Sequence, residues 1–371
     1  MFKNEMPVRL TGLLFILVMA AVLFAGCGKQ QVSVSTGNTG AGEPRHVVDH
    51  AGRNVTVPGE INKIFSINPV GMIVMYTLAP EKLVAWNFTI TPEYRKFILP
   101  QYRDLPDLGG WYANKSCNTE ELLKINPDLI VSFGLVDQTA ISLADRIQQQ
   151  MDIPVVIVNS ELNKLDRAYE FIGELLGVQE RAGELATYCR RTVDDVAEKA
   201  KLIPEEEKVR VYYAEGNQGL ETDPRGSQHT EVLDFVGGLN VADVAIKGGM
   251  GMTPVSLEQV LAWNPDVILT ATMGPMGGEE GMVYNSITTD PRWSTIKAVK
   301  DKRIYDIPDR PFNWFDRPPS VNRIIGVKWV ANLLYPDVYK YDLETEVKNF
   351  FSHFYHYDLS DQEVRELLAR S

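Results

Sequence analysis

Apolar positions in residues 179–203 recur at alternating spacings of four and three, so that Ala182, Ala186, Cys189, Val193, Val196, Ala200 and Ile203 form one stripe. Arg190, Arg191, Asp194, Asp195, Glu198 and Lys199 fall on the other faces, and the spacing predicts an amphipathic helix. At 1.5 Å per residue such a helix spans roughly 38 Å, about the width of a domain. Pro204, followed by Glu205, Glu206 and Glu207, ends it. The repeat covers only about three heptads without sustained charged flanks, which is short for a coiled coil. A rigid helix bridging two lobes is the expectation.

A similar unit stands on each side of this helix. Residues 120–132 read EELLKINPDLIVS and residues 258–270 read EQVLAWNPDVILT, and the two align without a gap. Each predicts a short helix stopped at an Asn-Pro-Asp turn and followed by a buried strand rich in β-branched residues, an αβ unit of a parallel sheet. Two copies are too few for a solenoid, so the duplication points to two α/β lobes.

The remaining pattern fits that scheme. Residues 46–58 form two β-branched runs around a glycine turn, a hairpin. Strands are expected at 63–67, 83–86, 155–158, 209–213, 220–222 and 303–307; helices are expected at 69–78, 92–99, 138–149, 229–236, 321–334 and 344–356. This alternation implies parallel sheets. Residues 273–290, rich in glycine and methionine, and residues 309–319 (DRPFNWFDRPP) are expected as loops.

Composition narrows the setting. The chain has 371 residues, 44% hydrophobic and 23% charged, with a formal charge of −12; it is long enough for two cores, and without a basic cluster it excludes nucleic acid as a partner. Lys3 and Arg9 precede an apolar run at 13–25, which reads as a secretory signal. The run resembles a bacterial lipoprotein signal, with Phe24 where the lipobox has leucine, and the resemblance makes Cys27 the lipidated residue. Residues 28–44 are polar and flexible in composition, a tether that hangs the globular part from the outer face of a membrane. The expected segments are thus a signal at 1–26, lipidated cysteine and tether at 27–44, a first lobe at 45–178, the connecting helix at 179–203 and a second lobe at 204–371. Cys117 and Cys189 are expected as free thiols, one in a loop and one on the helix stripe.

Catalytic signatures are missing: there is no Gly-x-Ser-x-Gly, His-Glu-x-x-His or phosphate-binding loop, and the five histidines have no ligand spacing. Aromatics and arginines in loops are present instead: Trp86, Trp111 and Tyr112 in the first half, Tyr284, Arg310, Phe312, Trp314 and Arg317 in the second. Loops at the strand ends of open α/β sheets line ligand crevices. Aromatic faces suit a flat chelate, and arginines suit carboxylate, catecholate or phosphate groups.

Four stretches carry a resemblance to a known family: Asp49 to Pro58 (D-x-x-G-R-x-V-x-V-P), the duplicated E-x₆-P-D units, Gly237-Gly238-Leu239-Asn240-Val241-Ala242, and Asp290-Pro291-Arg292-Trp293 with Ala298-Val299-Lys300. They resemble the substrate-binding lipoproteins of ABC importers for iron complexes and cobalamin, over nearly the whole chain after residue 44. The resemblance implies two lobes joined by one long helix and a monomer with no intrinsic cofactor. It also implies a ligand (ferric siderophore, haem or cobalamin) held between the lobes. Glu120 and Glu258, each seven residues before its Asn-Pro-Asp, would dock on the permease, which works with an ATPase. Val255 to Glu258 and Leu334 to Pro336 resemble members that bind molybdate or tungstate, the alternative ligand. A secreted metalloenzyme or redox protein using the same cleft is the competing class.

Overall fold

The computed structural model describes residues 42–246, 251–271 and 281–369. Strands β1 (Arg45–Val48) and β2 (Asn54–Val57) pair as an antiparallel hairpin. β3 (Ile64–Ser66), β4 (Leu129–Gly134) and β5 (Val155–Asn159) form a parallel sheet in that order. Between and beside them run α1 (Pro69–Leu78), α2 (Pro92–Arg95), α3 (Thr119–Ile125) and α4 (Gln138–Met151), followed by α5 (Leu165–Leu176) and the long α6 (Gln179–Ala200). The second half contains β6 (Arg210–Ala214), β7 (Glu221–Thr222), α7 (Glu231–Phe235), β8 (Leu239–Asn240), β9 (Thr253–Pro254), α8 (Leu257–Trp263), β10 (Val267–Thr270), α9 (Met282–Thr289), α10 (Lys297–Lys300) and β11 (Ile304–Asp306). Its parallel sheet has the order β11-β10-β6-β8. Helices α11 (Arg323–Leu334), α12 (Pro336–Tyr339), α13 (Leu343–Phe350) and α14 (Asp361–Leu368) complete the chain.

The duplicated sequence units occupy equivalent places. Ile130 on β4 lies between Phe65 of β3 and Val155 of β5; Ile268, its counterpart on β10, lies between Tyr212 of β6 and Ile304 of β11. Each preceding helix is seven residues long, capped at its start by Asn118 or Ser256 and ended by a left-handed asparagine, Asn126 (φ 53°) or Asn264 (φ 43°). Asparagine tolerates that conformation, and the proline after it bars further helix. The aspartate that follows reaches the neighbouring strand. Asp128 Oδ2 accepts from the Asn62 and Lys63 N–H groups at 2.7 and 2.8 Å, and Asp266 Oδ2 accepts from the Arg210 N–H at 3.1 Å. The Asn-Pro-Asp triplet thus stops a helix, turns the chain and clasps the start of the adjacent strand.

The hairpin is tied to the first sheet through one buried carboxylate. Asp49 accepts from the N–H groups of Ala51, Arg53 and Ile157 and from the Arg53 guanidinium, each at 3.0 Å. Arg53 also donates to the Val155 carbonyl, so the turn covers the edge strand β5 and hides its unpaired groups.

Helix α6 buries Ala182, Leu185, Ala186, Cys189, Thr192, Val193 and Val196, packing on α5 from the first half and on α11 from the second. Small residues allow the close crossing with α5: a Cβ at Gly173 would sit 2.1 Å from that of Ala182. The helix ends at Ala200, three residues before Ile203, which is nevertheless buried. One apolar cluster runs from β4 through α6 to β6, β10 and α11. After α13 the chain returns to the first half, where Tyr355, Phe351 and Phe354 meet Tyr76, Phe97 and Tyr169 at ring separations of 6.0, 5.4 and 6.1 Å.

Three expectations change. Residues 83–86 make only isolated bridges, Ile64 to Leu83 and Trp86 to Asp107: the Val84 N–H donates to the Ile64 carbonyl on the free edge of β3, but Trp86 turns its backbone bonds to Pro106 and Leu108, so no ladder forms. The expected loop at 273–290 contains α9, whose Val283 and Ile287, four apart, are buried. The last expected helix ends as α at Phe350 and continues as a wider turn through Tyr355. Cys117 and Cys189 are both free; burial pushes the Cys117 thiol up to about 12.

Candidate functional site

A cleft of about 390 Å³ opens beyond the ends of β3, β4 and β5. Its first-half wall begins with the residues after β3, Ile67 to Val70, and those at the end of β4, Ser132 to Leu135. Helices α1 and α4 start here. Asn68 caps α1, accepting from the Gly71 N–H at 3.1 Å while its own amide donates to the Phe133 carbonyl at 2.7 Å; Asp137 caps α4 through the Ala140 N–H at 2.8 Å. Two helix N-termini meet at this wall; the Asp137 carboxylate already occupies that of α4, whereas that of α1, capped by the neutral Asn68, keeps a positive dipole end that favours an anion. Trp111 and Tyr112 flank them. The Trp111 N–H donates to the Ile67 carbonyl, and the Tyr112 hydroxyl donates to the Asn87 carbonyl at 2.8 Å. Burial, aided by Asp107, pushes that phenol up to about 12.

The opposite wall is built from segments far apart in sequence. Gln228, His229, Glu231, Arg317 and Arg323 face the cleft. Arg317 is clamped from behind: its Nε donates to Glu215 at 2.5 Å and lies 3.3 Å from Asp316, and its Nη2 donates to Asp223 at 2.6 Å. All three acids are buried. Desolvation works against a charged Arg317, but Asp316 and Glu215 outweigh it and hold the guanidinium cationic. Burial pushes the Glu215 carboxyl well above the usual range, opposed by Arg317. His229 bonds Asp316 through Nδ1; burial would lower its pKa, yet Asp316 wins and raises it. This wall therefore alternates cations and acids and has little net positive charge.

Arg323 spans the halves at the cleft floor. It pairs with Glu231 and donates to the Ser160 carbonyl beyond β5 at 2.6 Å, while Glu231 accepts from the Leu162 N–H at 3.3 Å.

Of the residues expected to bind ligand, Trp111, Tyr112 and Arg317 line the cleft and five do not. Trp86 is buried, its indole donating to the Tyr102 carbonyl. Phe312 sits against Phe88 and Tyr94 of the first half at 5.9 and 6.4 Å. Trp314 is 0% exposed with its N–H on the Arg310 carbonyl. Arg310 and Tyr284 are half-buried away from the cleft, Tyr284 on α9 rather than in a loop. The aromatic loop folds inward because its rings close the gap between the halves. Glu120 and Glu258 stand exposed in the first turns of α3 and α8. Glu120 pairs with Lys124 at 3.2 Å; backbone N–H and the Ser256 hydroxyl hold the Glu258 carboxyl below its usual range. Cys27, residues 247–250 and residues 272–280 lie outside the described residues.

His229, Arg323, Glu231 and the acids behind Arg317 carry no recognisable sequence motif, since the segments that supply them, 215–231 and 316–323, meet only in the fold. The adjacent Asp316 and Arg317 in the aromatic loop were the one available signal.

A family model described as periplasmic binding protein matches residues 91–311. The chain belongs to that family. It is 27% identical to the molybdate-binding protein MolA of Haemophilus influenzae, over 84% of this chain and 91% of that one. It is 26% identical to YvrC of Bacillus subtilis, an uncharacterized ABC transporter substrate-binding lipoprotein, over 89% and 98%. Among solved structures, an ABC transporter solute-binding protein from Sulfurospirillum deleyianum superposes with a TM-score of 0.81 at 30% identity, over 88% of this chain and 99% of that one. The protein is the substrate-binding component of an ABC importer. No helix among the described residues is long and apolar enough to cross a membrane.

Proposed function

We propose that the protein captures a metal chelate with an anionic periphery in this cleft, outside the cytoplasm, and delivers it to its permease. The observation that supports this most is the set of groups facing each other across the cleft: helix N-termini on one wall, and Arg317, Arg323 and His229 on the other, with the acids that hold Arg317 behind it. Anionic oxygens suit the backbone N–H groups of the first wall and the guanidiniums of the second, beside which His229 offers one nitrogen to a metal centre. Trp111 and Tyr112 add flat aromatic surface. His229 lines the cleft and is held in place by Asp316 through Nδ1. Ferric siderophores, haem and cobalamin are the candidate chelates.

A molybdate or tungstate ion is the second reading, favoured by the N-terminus of α1 and by the name of the Haemophilus relative. Size does not separate the two: five heavy atoms at the ~30 Å³ that water occupies fill about 150 Å³, less than the cleft, whereas a whole chelate exceeds it by the same measure and would protrude from it. Calorimetric titration with ferric siderophores, haem, cobalamin, molybdate and tungstate decides between them. One tight chelate and no oxyanion binding is the expected outcome, and tight molybdate binding alone would overturn it. Cys27 as the lipid anchor and Glu120 with Glu258 as permease contacts complete the proposal.

A further inference from the structure

We propose that Asp223, His229 and Asp316 form a direct site for a divalent transition-metal ion on the second-half wall of the cleft. One ligand atom from each lies within 4.8 Å of the other two. The aspartates divide their oxygens between two tasks. Asp223 Oδ2 and Asp316 Oδ2 turn to Arg317, whereas Asp223 Oδ1 meets the Ser227 hydroxyl at 3.1 Å and Asp316 Oδ1 meets His229. The arginine thus neutralises one side of the pair and leaves the Oδ1 side beside an imidazole that lines the cleft.

Two further observations point to a cation. Glu215, 1% exposed, gives Oε1 to the same Arg317, and its buried Oε2 has no hydrogen-bond partner; water bound to a metal is the donor that this oxygen lacks. Three buried carboxylates share one guanidinium among the described residues, so acids outnumber the arginine where the ion would sit. One imidazole nitrogen and two carboxylate oxygens, completed by water, suit Ni²⁺, Co²⁺ or Zn²⁺ better than Mg²⁺. The site lies in the proposed ligand cleft but takes the free ion, so it does not depend on the chelate reading.

The test uses the metal alone. NiCl₂, ZnCl₂ and MgCl₂ are titrated calorimetrically into the metal-free protein at neutral pH. Nickel and zinc should bind one ion per chain with micromolar affinity, and magnesium should not bind. Asp223→Asn and His229→Leu should weaken nickel roughly 100-fold, with circular dichroism showing that both variants fold. X-ray absorption of the wild-type nickel protein, which needs no variant, should show one imidazole among oxygen ligands. Absence of one-ion binding, unchanged affinity in folded variants, or a nickel shell without a single imidazole would each overturn the site. Chelate binding by a protein that fails these tests would leave the proposed function standing.

Discussion

Trp314 shows how burial decides what a side chain is for. In sequence it sits among arginines in an aromatic loop; in the fold it is fully enclosed, and a Cβ at Gly326 would fall 1.7 Å from its carbonyl oxygen. Trp314→Ala should therefore destabilise the protein by about 3–5 kcal/mol through the cavity it leaves, read as a lowered denaturation midpoint. An unchanged midpoint with lost ligand affinity would return it to the binding surface. His50 has a role of the opposite kind. Its Nδ1 accepts from the Asn159 N–H at 3.0 Å and its ring packs on Phe171, so the neutral form is the one that fits. Desolvation lowers its pKa, against the pull of Asp49. A base with a depressed folded pKa contributes stability that is present above the unfolded value of about 6.5 and lost as pH falls through the folded one. Melting temperature should fall as pH drops below about 6.5, and His50→Gln should flatten that slope. An unaltered slope in the variant would assign the acid sensitivity to another group.

At the scale of elements, the duplicated helix-turn-strand is the most informative unit. α3 and α8 are too short to be stable alone; caps at both ends and the clasp of Asp128 or Asp266 on the next strand hold them. Their first turns carry Glu120 and Glu258 outward, and an exposed helix-borne acid repeated in both halves fits a partner with two-fold symmetry. Reversing both charges should lower uptake while ligand affinity and stability stay the same, because exposed ion pairs such as Glu120 with Lys124 contribute little to folding. Each single variant, Glu120→Lys or Glu258→Lys, should show a partial defect. Uptake of labelled ligand by cells carrying the double variant is the measurement, and normal uptake would remove the docking assignment.

At the scale of the whole molecule, attachment and rigidity are separate questions. On the proposed reading attachment rests on Cys27: Cys27→Ala should release the protein from membranes, and a mutant that stays in detergent-free membranes as uncleaved precursor would favour an anchor helix. Rigidity rests on contacts that cross between the halves. Arg323 with Ser160, Glu231 with Leu162, Tyr94 with Asp309 and the Phe312 plug all bridge them. With one apolar cluster also continuous through α6, large swings of one half against the other would break buried contacts.

Periodicity and turn chemistry were sufficient, in the sequence alone, for the hairpin, the long helix, both Asn-Pro-Asp units and the parallel α/β class, because local sterics and the spacing of apolar residues act over a few positions. The same reading overcalled residues 83–86 as a strand and missed α9. The first is decided by which neighbour takes the backbone hydrogen bonds, and the second by an apolar pair too short to show a period. For the cleft, Trp111, Tyr112 and Arg317 were legible as loop residues with suitable chemistry. Whether a loop aromatic faces ligand or core depends on what packs against it, so Trp86, Phe312 and Trp314 could be sorted only by the tertiary structure. The grouping of Glu215, Asp223, His229 and Asp316 around one arginine likewise belongs to the fold, since the first three share no period and Asp316 lies 87 residues beyond His229.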